Sequence, residues 1–278
     1  MKYYLFNPYS GSGDSRESAE LLRAEGGEDI TIVDLTEISS YKDFLGSLDA
    51  DDTIVLFGGD GTINKFVNGV GECDAPSRVE YMPTGSGNDF ATDIGAHDTE
   101  LPVDITEYIK ALPTVEVNGE VFKFINGVGY GIDGYCCEVG DKQKLEGKKP
   151  NYTSIAIWGL LLHYKPCDAV VTVDGVEYSF KKVWLAPTMY GAYYGGGMMP
   201  SPIQKRGSDK ISIMIFHGSN KLSTLMIFPS IFKGEHVKNT KHVTVLEGKE
   251  ITVKFSEPRA LQIDGETVLG VTEYTARR

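Results

Sequence analysis

The sequence predicts an α/β protein in two parts: a parallel sheet covered by helices over residues 1–112, then a β-sandwich over residues 113–278. Three observations carry this expectation. Apolar runs of strand length alternate with helix-like segments as far as about residue 110. Beyond Pro113 the pattern changes to strands separated by turn signals. The loops at Asn7-Pro8, Thr36, Gly58-Gly59 and Thr84-Gly85 all fall just past strand ends, on the edge where open α/β sheets bind ligands. A length of 278 residues fits two domains of ~150 residues each.

The elements follow in order. Tyr3–Asn7 reads as a strand, followed by Pro8-Tyr9-Ser10-Gly11-Ser12-Gly13 and a helix from Ser15 to Ala24. Ile30–Asp34 is the second strand, leading to Thr36 and a helix near Tyr41–Leu48. Ile54–Phe57 carries Gly58-Gly59-Asp60-Gly61-Thr62 and a helix over Ile63–Val70. Val79–Met82 carries Pro83-Thr84-Gly85-Ser86-Gly87-Asn88-Asp89 and a helical turn starting near Asn88. Glu107–Ala111 closes this half, and Pro113 marks the boundary. Strands are then expected at Val115–Val117, Val121–Asn126, Ala169–Val173, Glu177–Pro187, Ile211–Phe216, His242–Leu246, Glu250–Phe255 and Arg259–Ile263. Asn118-Gly119 and Asp174-Gly175 supply hairpin turns. Helices are expected around Tyr152–Tyr164 and Leu222–Phe232, and the last segment, Val268–Thr275, can extend either domain.

Composition narrows the function. With 41% hydrophobic and 24% charged residues the chain is an ordinary globular one. Its net charge of −12 disfavours nucleic acid as a partner. Cys73, Cys136, Cys137 and Cys167 lack metal-ligand spacing, and Cys136 and Cys137 are adjacent, so a reduced, cytoplasmic setting is expected. The N-terminus reads as a strand rather than a signal peptide, and the longest apolar run, Ile155–Leu162, is far short of a transmembrane segment. Peripheral contact with the inner membrane face stays open, as does a homodimer. Lys142, Lys144, Lys148 and Lys149 form one basic cluster, and Lys233, His236, Lys238, Lys241 and His242 a second. Both read as solvated loops, with docking to an anionic bilayer as the alternative. Leu222–Phe232 reads as a core helix, with a membrane face as its alternative.

The two glycine-rich loops carry the chemistry. Glycines let backbone N–H groups approach phosphate oxygens closely, and a following helix adds the positive end of its dipole. Each loop also contains a carboxylate, Asp60 and Asp89, which a bare anion site would avoid. Phosphate with carboxylate implies a divalent cation or a proton transfer, and so phosphoryl transfer. By position alone, Asp89 can serve as the N-cap of its helix. Composition alone makes Asp264-Gly265 a hairpin turn like Asp174-Gly175.

The motifs together place the chain beside a known family. Asn7-Pro8-x-Ser10-Gly11-x-Gly13, Gly58-Gly59-Asp60-Gly61-Thr62-x-Asn64, Pro83-x-Gly85-Ser86-Gly87-Asn88-Asp89-Phe90-Ala91, Gly129-x-Gly131-x-Asp133, Gly195-Gly196-Gly197-Met198 and Ile263-Asp264-Gly265-Glu266 resemble the diacylglycerol kinase catalytic family in its soluble bacterial form, which includes sphingoid-base kinases. The resemblance implies a nucleotide-binding α/β domain joined to a larger β-sandwich domain, with the active site in the cleft. It implies an ATP-dependent lipid kinase that transfers the γ-phosphoryl group to a primary hydroxyl of diacylglycerol or a related lipid at the membrane surface, a step in phospholipid metabolism. Asn7, Ser10, Thr36, Gly58, Gly59, Asp60, Gly61, Thr62, Asn64, Gly85, Ser86, Gly87 and Asn88 would then contact the nucleotide. Asp60 and Asp89 would hold Mg2+, and either Asp264 or Glu266 would act as general base. The resemblance also implies a second cation site at the Asp209 carboxylate with main-chain carbonyls near Arg206 and Ile211. The chain departs from the family at Lys65, commonly Glu, at Thr92, commonly Arg, and at Lys210, commonly Gly. The alternatives are an NAD kinase-like enzyme, which shares the Asp60 loop, and a catalytically weakened nucleotide- or lipid-binding regulator.

Overall fold

The computed structural model describes residues 1–10, 15–26, 29–71, 78–148 and 150–278, with Thr153 described by its backbone alone. Gly11, Ser12 and Gly13 of the first motif, Cys73 and Lys149 lie outside the described residues. The chain divides into two compact units, Met1–Leu112 and Pro113–Arg278.

The first unit is built on a five-stranded sheet. Its strands are β1 (Lys2–Phe6), β2 (Ile30–Asp34), β3 (Thr53–Gly58), β4 (Arg78–Pro83) and β5 (Val103–Asp104), in the order β2-β1-β3-β4-β5. The first four run parallel and only β5 is antiparallel. Every residue of β3 is buried, as expected of a central strand covered on both faces. Helices α1 (Ser15–Gly26), α2 (Tyr41–Gly46), α3 (Asp60–Val70), α4 (Asp89–Asp93) and α5 (Thr106–Lys110) fill the connections. In α3, Ile63, Phe66, Val67 and Val70 recur at helical spacing and are all buried. The strand order reverses between β1 and β3. At such a switch point the loops leaving the two strands diverge and open a crevice at their carboxyl ends.

The second unit is antiparallel. Its strands are β6 (Thr114–Val117), β7 (Glu120–Lys123), β8 (Gly127–Tyr130), β9 (Cys167–Val173), β10 (Val176–Val183), β11 (Thr188–Met189), β12 (Ile211–Phe216), β13 (Val243–Gly248), β14 (Glu250–Ile263) and β15 (Glu266–Arg277). They pair in the order β13-β12-β11-β8-β14-β15-β6-β7, with β9 on β14 and β10 on β9. Hairpins β6–β7, β9–β10 and β14–β15 turn at Asn118-Gly119, Asp174-Gly175 and Asp264-Gly265, where both central residues have positive φ. The helices are α6 (Ile132–Leu145), α7 (Tyr152–Trp158), continued as a π-helical turn over Gly159–His163, and α8 (Lys221–Ile227), continued as a 3-10 turn over Phe228–Lys233.

Four differences from expectation have physical causes. The strand expected over Val121–Asn126 stops at Lys123, because the N–H groups of 125–127 turn to bind the Asp264 carboxylate. The strands expected at Glu250–Phe255 and Arg259–Ile263 are one strand, β14. Its register against β15 shifts between Lys254 and Arg259, around Pro258, which has no N–H to donate. The last segment stays in the second unit, paired with β14 and β6. Finally, β8 and α6 are not among the elements the sequence predicts, in a stretch that holds Gly127, Gly129, Gly131 and Gly134. The glycines are needed for contact: a Cβ on Gly134 would stand 1.8 Å from the Ala260 carbonyl oxygen.

This tight strand-to-helix passage buries Asp133, whose Oδ2 accepts a 2.7 Å hydrogen bond from the Tyr194 hydroxyl next to Gly195–Met198. Burial pushes the Asp133 carboxyl up to about 7. The folded protein therefore keeps a proton that the unfolded chain releases near pH 4, so stability falls as pH rises from about 4 to about 7 and levels off above that. Asp133→Asn removes the titration. Its stability relative to wild type should grow by roughly 1.4 kcal/mol per pH unit across that window, as read by urea unfolding at several pH values. A difference that does not change with pH would contradict the assignment.

Candidate active site

The loops leaving β1, β3 and β4 are tied to one another at the switch point. Ser10 Oγ accepts from the Gly59 N–H at 2.8 Å, joining the β1 and β3 loops. Asn7 caps its own turn by accepting from the Tyr9 N–H at 3.1 Å, while its Nδ2 donates to Thr62 Oγ1 at 3.4 Å. The β3 and β4 loops approach almost backbone to backbone. The Thr84 N–H donates to the Gly58 carbonyl at 2.8 Å, and a Cβ on Gly85 would stand 2.5 Å from Gly59 Cα. Only glycine fits there.

Asp60 closes the same junction. Its two carboxylate oxygens accept the N–H groups of Asp89 at 2.9 Å and Phe90 at 2.7 Å, so a residue of the β3 loop caps the helix after β4. This corrects the N-cap reading of Asp89. The N-cap position is Asn88, in the left-handed conformation at φ 49° and making no side-chain cap; Asp89 is the first residue of α4, and its side chain is buried. Asn88 turns inward instead, donating from Nδ2 to the Gly85 carbonyl at 2.8 Å. Ser86 is exposed and Gly87 half-buried beside it. Asn64 is buried in α3, where Asn68 Nδ2 donates to its carbonyl and side-chain oxygens. Thr36 stands past the end of β2, its N–H and hydroxyl both donating to Asp34 Oδ1.

One contributor escaped the sequence. The Tyr81 hydroxyl, buried beneath the loops, donates to the Gly58 carbonyl at 3.1 Å. Burial, with the Asp60 and Asp89 carboxylates nearby, holds its phenol well above the usual range, so it remains a donor. A tyrosine alternating within an apolar strand carries no sign of this role. Thr92, at a departure from the family pattern, donates to the Asn88 carbonyl at 3.0 Å, and Lys65 points to solvent.

In the second unit Asp264 sits at the first turn position of the β14–β15 hairpin, with φ 47°. Its carboxylate accepts three backbone N–H groups: Ile125 at 2.6 Å, Asn126 at 2.9 Å and Gly127 at 2.9 Å. Asp174 behaves alike, accepting from Lys249 and Glu250. Arg206 grips the same segment, donating to the Ile125 carbonyl and to Asn126 Oδ1. Glu266, two residues after Asp264, is exposed at the start of β15. Asp209 is 78% exposed with Lys249 Nζ at 4.0 Å, so a cation there would compete with a lysine for one carboxylate. Ile211 is buried at the start of β12. Among the described residues no group of three or more His, Cys, Asp or Glu side chains converges as a metal cage.

The close contact of Gly59 and Gly85 yields a stability test. Gly85→Ala should lower the unfolding free energy by about 1–3 kcal/mol, the usual cost of overpacking. Gly61→Ala, whose Cβ meets no other atom of the protein, should keep or raise it. Equal effects in thermal melts would show that the loops are not in contact.

Comparison with known proteins agrees with this architecture. Residues 3–117 match the diacylglycerol kinase catalytic domain, and residues 126–276 match the YegS C-terminal NAD kinase beta sandwich-like domain. A diacylglycerol kinase of Bacillus subtilis is 26% identical over 220 residues, spanning 77% of this chain and 71% of that protein. One of Mycobacterium tuberculosis is 25% identical over 247 residues, spanning 84% and 79%. The crystal structure of a diacylglycerol kinase from Bacillus anthracis aligns with a TM-score of 0.63 at 18% identity, covering 100% of this chain and 94% of that one, a likeness of fold. With both domain models matched in sequence order across nearly its whole length, the chain belongs to the diacylglycerol kinase family of lipid kinases.

Proposed function

We propose that this chain is an ATP-dependent lipid kinase that transfers the γ-phosphoryl group to a primary hydroxyl of diacylglycerol or a related lipid. The observation that carries the reading is the junction of the β1, β3 and β4 loops at the sheet's switch point, where Ser10 accepts from Gly59, Gly85 packs against Gly59, and Asp60 accepts from Asp89 and Phe90. Phosphoryl transfer needs little covalent help from the protein, and its catalysis lies in positioning and charge stabilisation. Loops fixed before the nucleotide arrives meet that need.

The donors at this junction fit Mg2+ in kind, since Asp60 and Asp89 offer hard carboxylate oxygens, each Asp60 oxygen has a second lone pair beside the one that accepts an N–H, and this ion takes few protein ligands beside phosphates and water. Asp60 and Asp89 would hold it, and when bound it supplies charge neutralisation at the phosphates. The Asp209 carboxylate, facing Lys249, fits a cation poorly.

Of the two candidate bases, Glu266 is the better placed. Both oxygens of Asp264 already accept backbone N–H groups, so Asp264 fixes the turn and Glu266 projects from it to take the acceptor's hydroxyl proton. An NAD kinase-like reaction is the second reading, favoured by the matched second-domain description and the shared Gly58–Gly61 loop.

Steady-state kinetics with ATP, Mg2+ and dispersed diacylglycerol test the assignment. Glu266→Gln should lower kcat by about 10²–10⁴ with the fold unchanged, the range for loss of a general base. Asp264→Ala should instead lower stability by at least about 2 kcal/mol, because three N–H groups lose their acceptor. Full activity in Glu266→Gln would remove the base, and phosphorylation of NAD alone would favour the second reading.

A further inference from the structure

Two neighbouring elements of the second unit bury one face in a shared core and expose a strongly apolar one. In α7 and its π-helical extension, Ile155, Ala156, Gly159, Leu160 and Tyr164 point inward, while Ile157, Trp158, Leu161 and Leu162 point out. The contrast is sharp along one chain: Leu160 is 1% exposed, Trp158 58% and Leu162 61%. The π turn, closed by the Tyr164 N–H on the Gly159 carbonyl at 2.7 Å, places three consecutive residues, Leu161, Leu162 and His163, on the outer side. Beside it, α8 packs Leu225 and Ile227 against the same core as Leu160 and Trp184, yet leaves Leu222 and Met226 each 68% exposed. Lys221 Nζ, at the start of α8, donates to the Leu161 carbonyl at 2.9 Å and joins the two apolar faces into one. The run Leu222–Phe232, expected as a core helix with a membrane face as the alternative, thus has one face packed in the core and one exposed.

Charge selects what covers this face. The segments that carry it, 150–166 and 218–242, contain five lysines (Lys165, Lys221, Lys233, Lys238 and Lys241) and one acid, Glu235. That is a local charge of +4 in a chain of −12. A second copy docked symmetrically would set +4 against +4. An anionic bilayer instead attracts the lysines and accepts tryptophan and leucine at its headgroup boundary, a combination known from interfacial helices. We infer that Trp158, Leu161, Leu162, Leu222 and Met226, carried on the segments that hold these lysines, form the surface by which the protein docks on an anionic lipid bilayer. The inference deepens the lipid-acceptor reading, although exposure and charge support it without reference to catalysis.

Tryptophan fluorescence offers a direct test. The chain has two tryptophans, and Trp184 is 2% exposed, so a change on membrane contact reports Trp158. Adding vesicles of phosphatidylcholine with phosphatidylglycerol should shift the emission to the blue. Phosphatidylcholine alone should do so weakly, and salt should reverse part of the shift. Leu162→Asp combined with Met226→Asp should weaken vesicle binding by at least about tenfold, with thermal melts confirming the fold, since both side chains are already exposed. No shift with either vesicle, or a shift that survives the double substitution, would overturn the surface. A blue shift that grows with protein concentration in the absence of lipid would assign the face to a second copy instead. Vesicle binding without phosphorylation of any lipid would sink the kinase reading and leave this one standing; lipid phosphorylation in detergent without vesicle binding would do the reverse.

Discussion

The Asp60 carboxylate is the constraint around which the first unit's ligand edge is organised. One side chain from the loop after β3 accepts the first two free N–H groups of the helix after β4. Those N–H groups have no partner within their own helix, so the capping carboxylate both satisfies them and sits at the positive end of the helix. Capping across loops rather than within one makes the geometry of each depend on the other. The Gly59–Gly85 approach requires the same fixed separation of the loops, and beneath them the Tyr81 hydroxyl of β4, a strand paired with β3, donates to the Gly58 carbonyl. In the proposed reaction, a junction made this way would have its shape before a phosphate reaches it, which would lower the reorganisation needed at the moment of transfer.

The second unit uses a carboxylate in a related manner. Asp264 accepts three backbone N–H groups from the segment before β8, and Arg206 donates to acceptors of that same segment. The hairpin that presents Glu266 is thus clamped at its base while Glu266 itself stays in solvent. In its proposed role as general base Glu266 would need this division of labour, being held firmly yet keeping an accessible oxygen.

Much of the first unit was legible because its strands obey the rule for buried parallel sheets, with continuous apolar runs followed at once by glycine-rich turns. Ile30–Asp34 is found with those same ends, and the loops at Asn7, Thr36, Gly58 and Thr84 all lie at the expected edge. What stayed hidden depends on partners distant in sequence. Asp89 looks like a cap by position, but Asp60, 29 residues earlier, does the capping. Tyr81 resembles any core tyrosine. Strand β8 and helix α6 were masked by glycines that signal a loop locally but permit contact with Ala260 and Met189 in the fold. The outward face of α8 could not be read from Leu222–Phe232, because a run that is apolar on every side does not say which side the protein will cover.

The central claim is that this loop junction serves transfer of a phosphoryl group to a lipid hydroxyl. It is tested most directly by incubating the purified chain with γ-labelled ATP, Mg2+ and a total lipid extract, then separating the products by chromatography. Label should appear on a lipid as a phosphomonoester, only with Mg2+ present. Bound ATP with label recovered solely as ATP or inorganic phosphate would contradict the account.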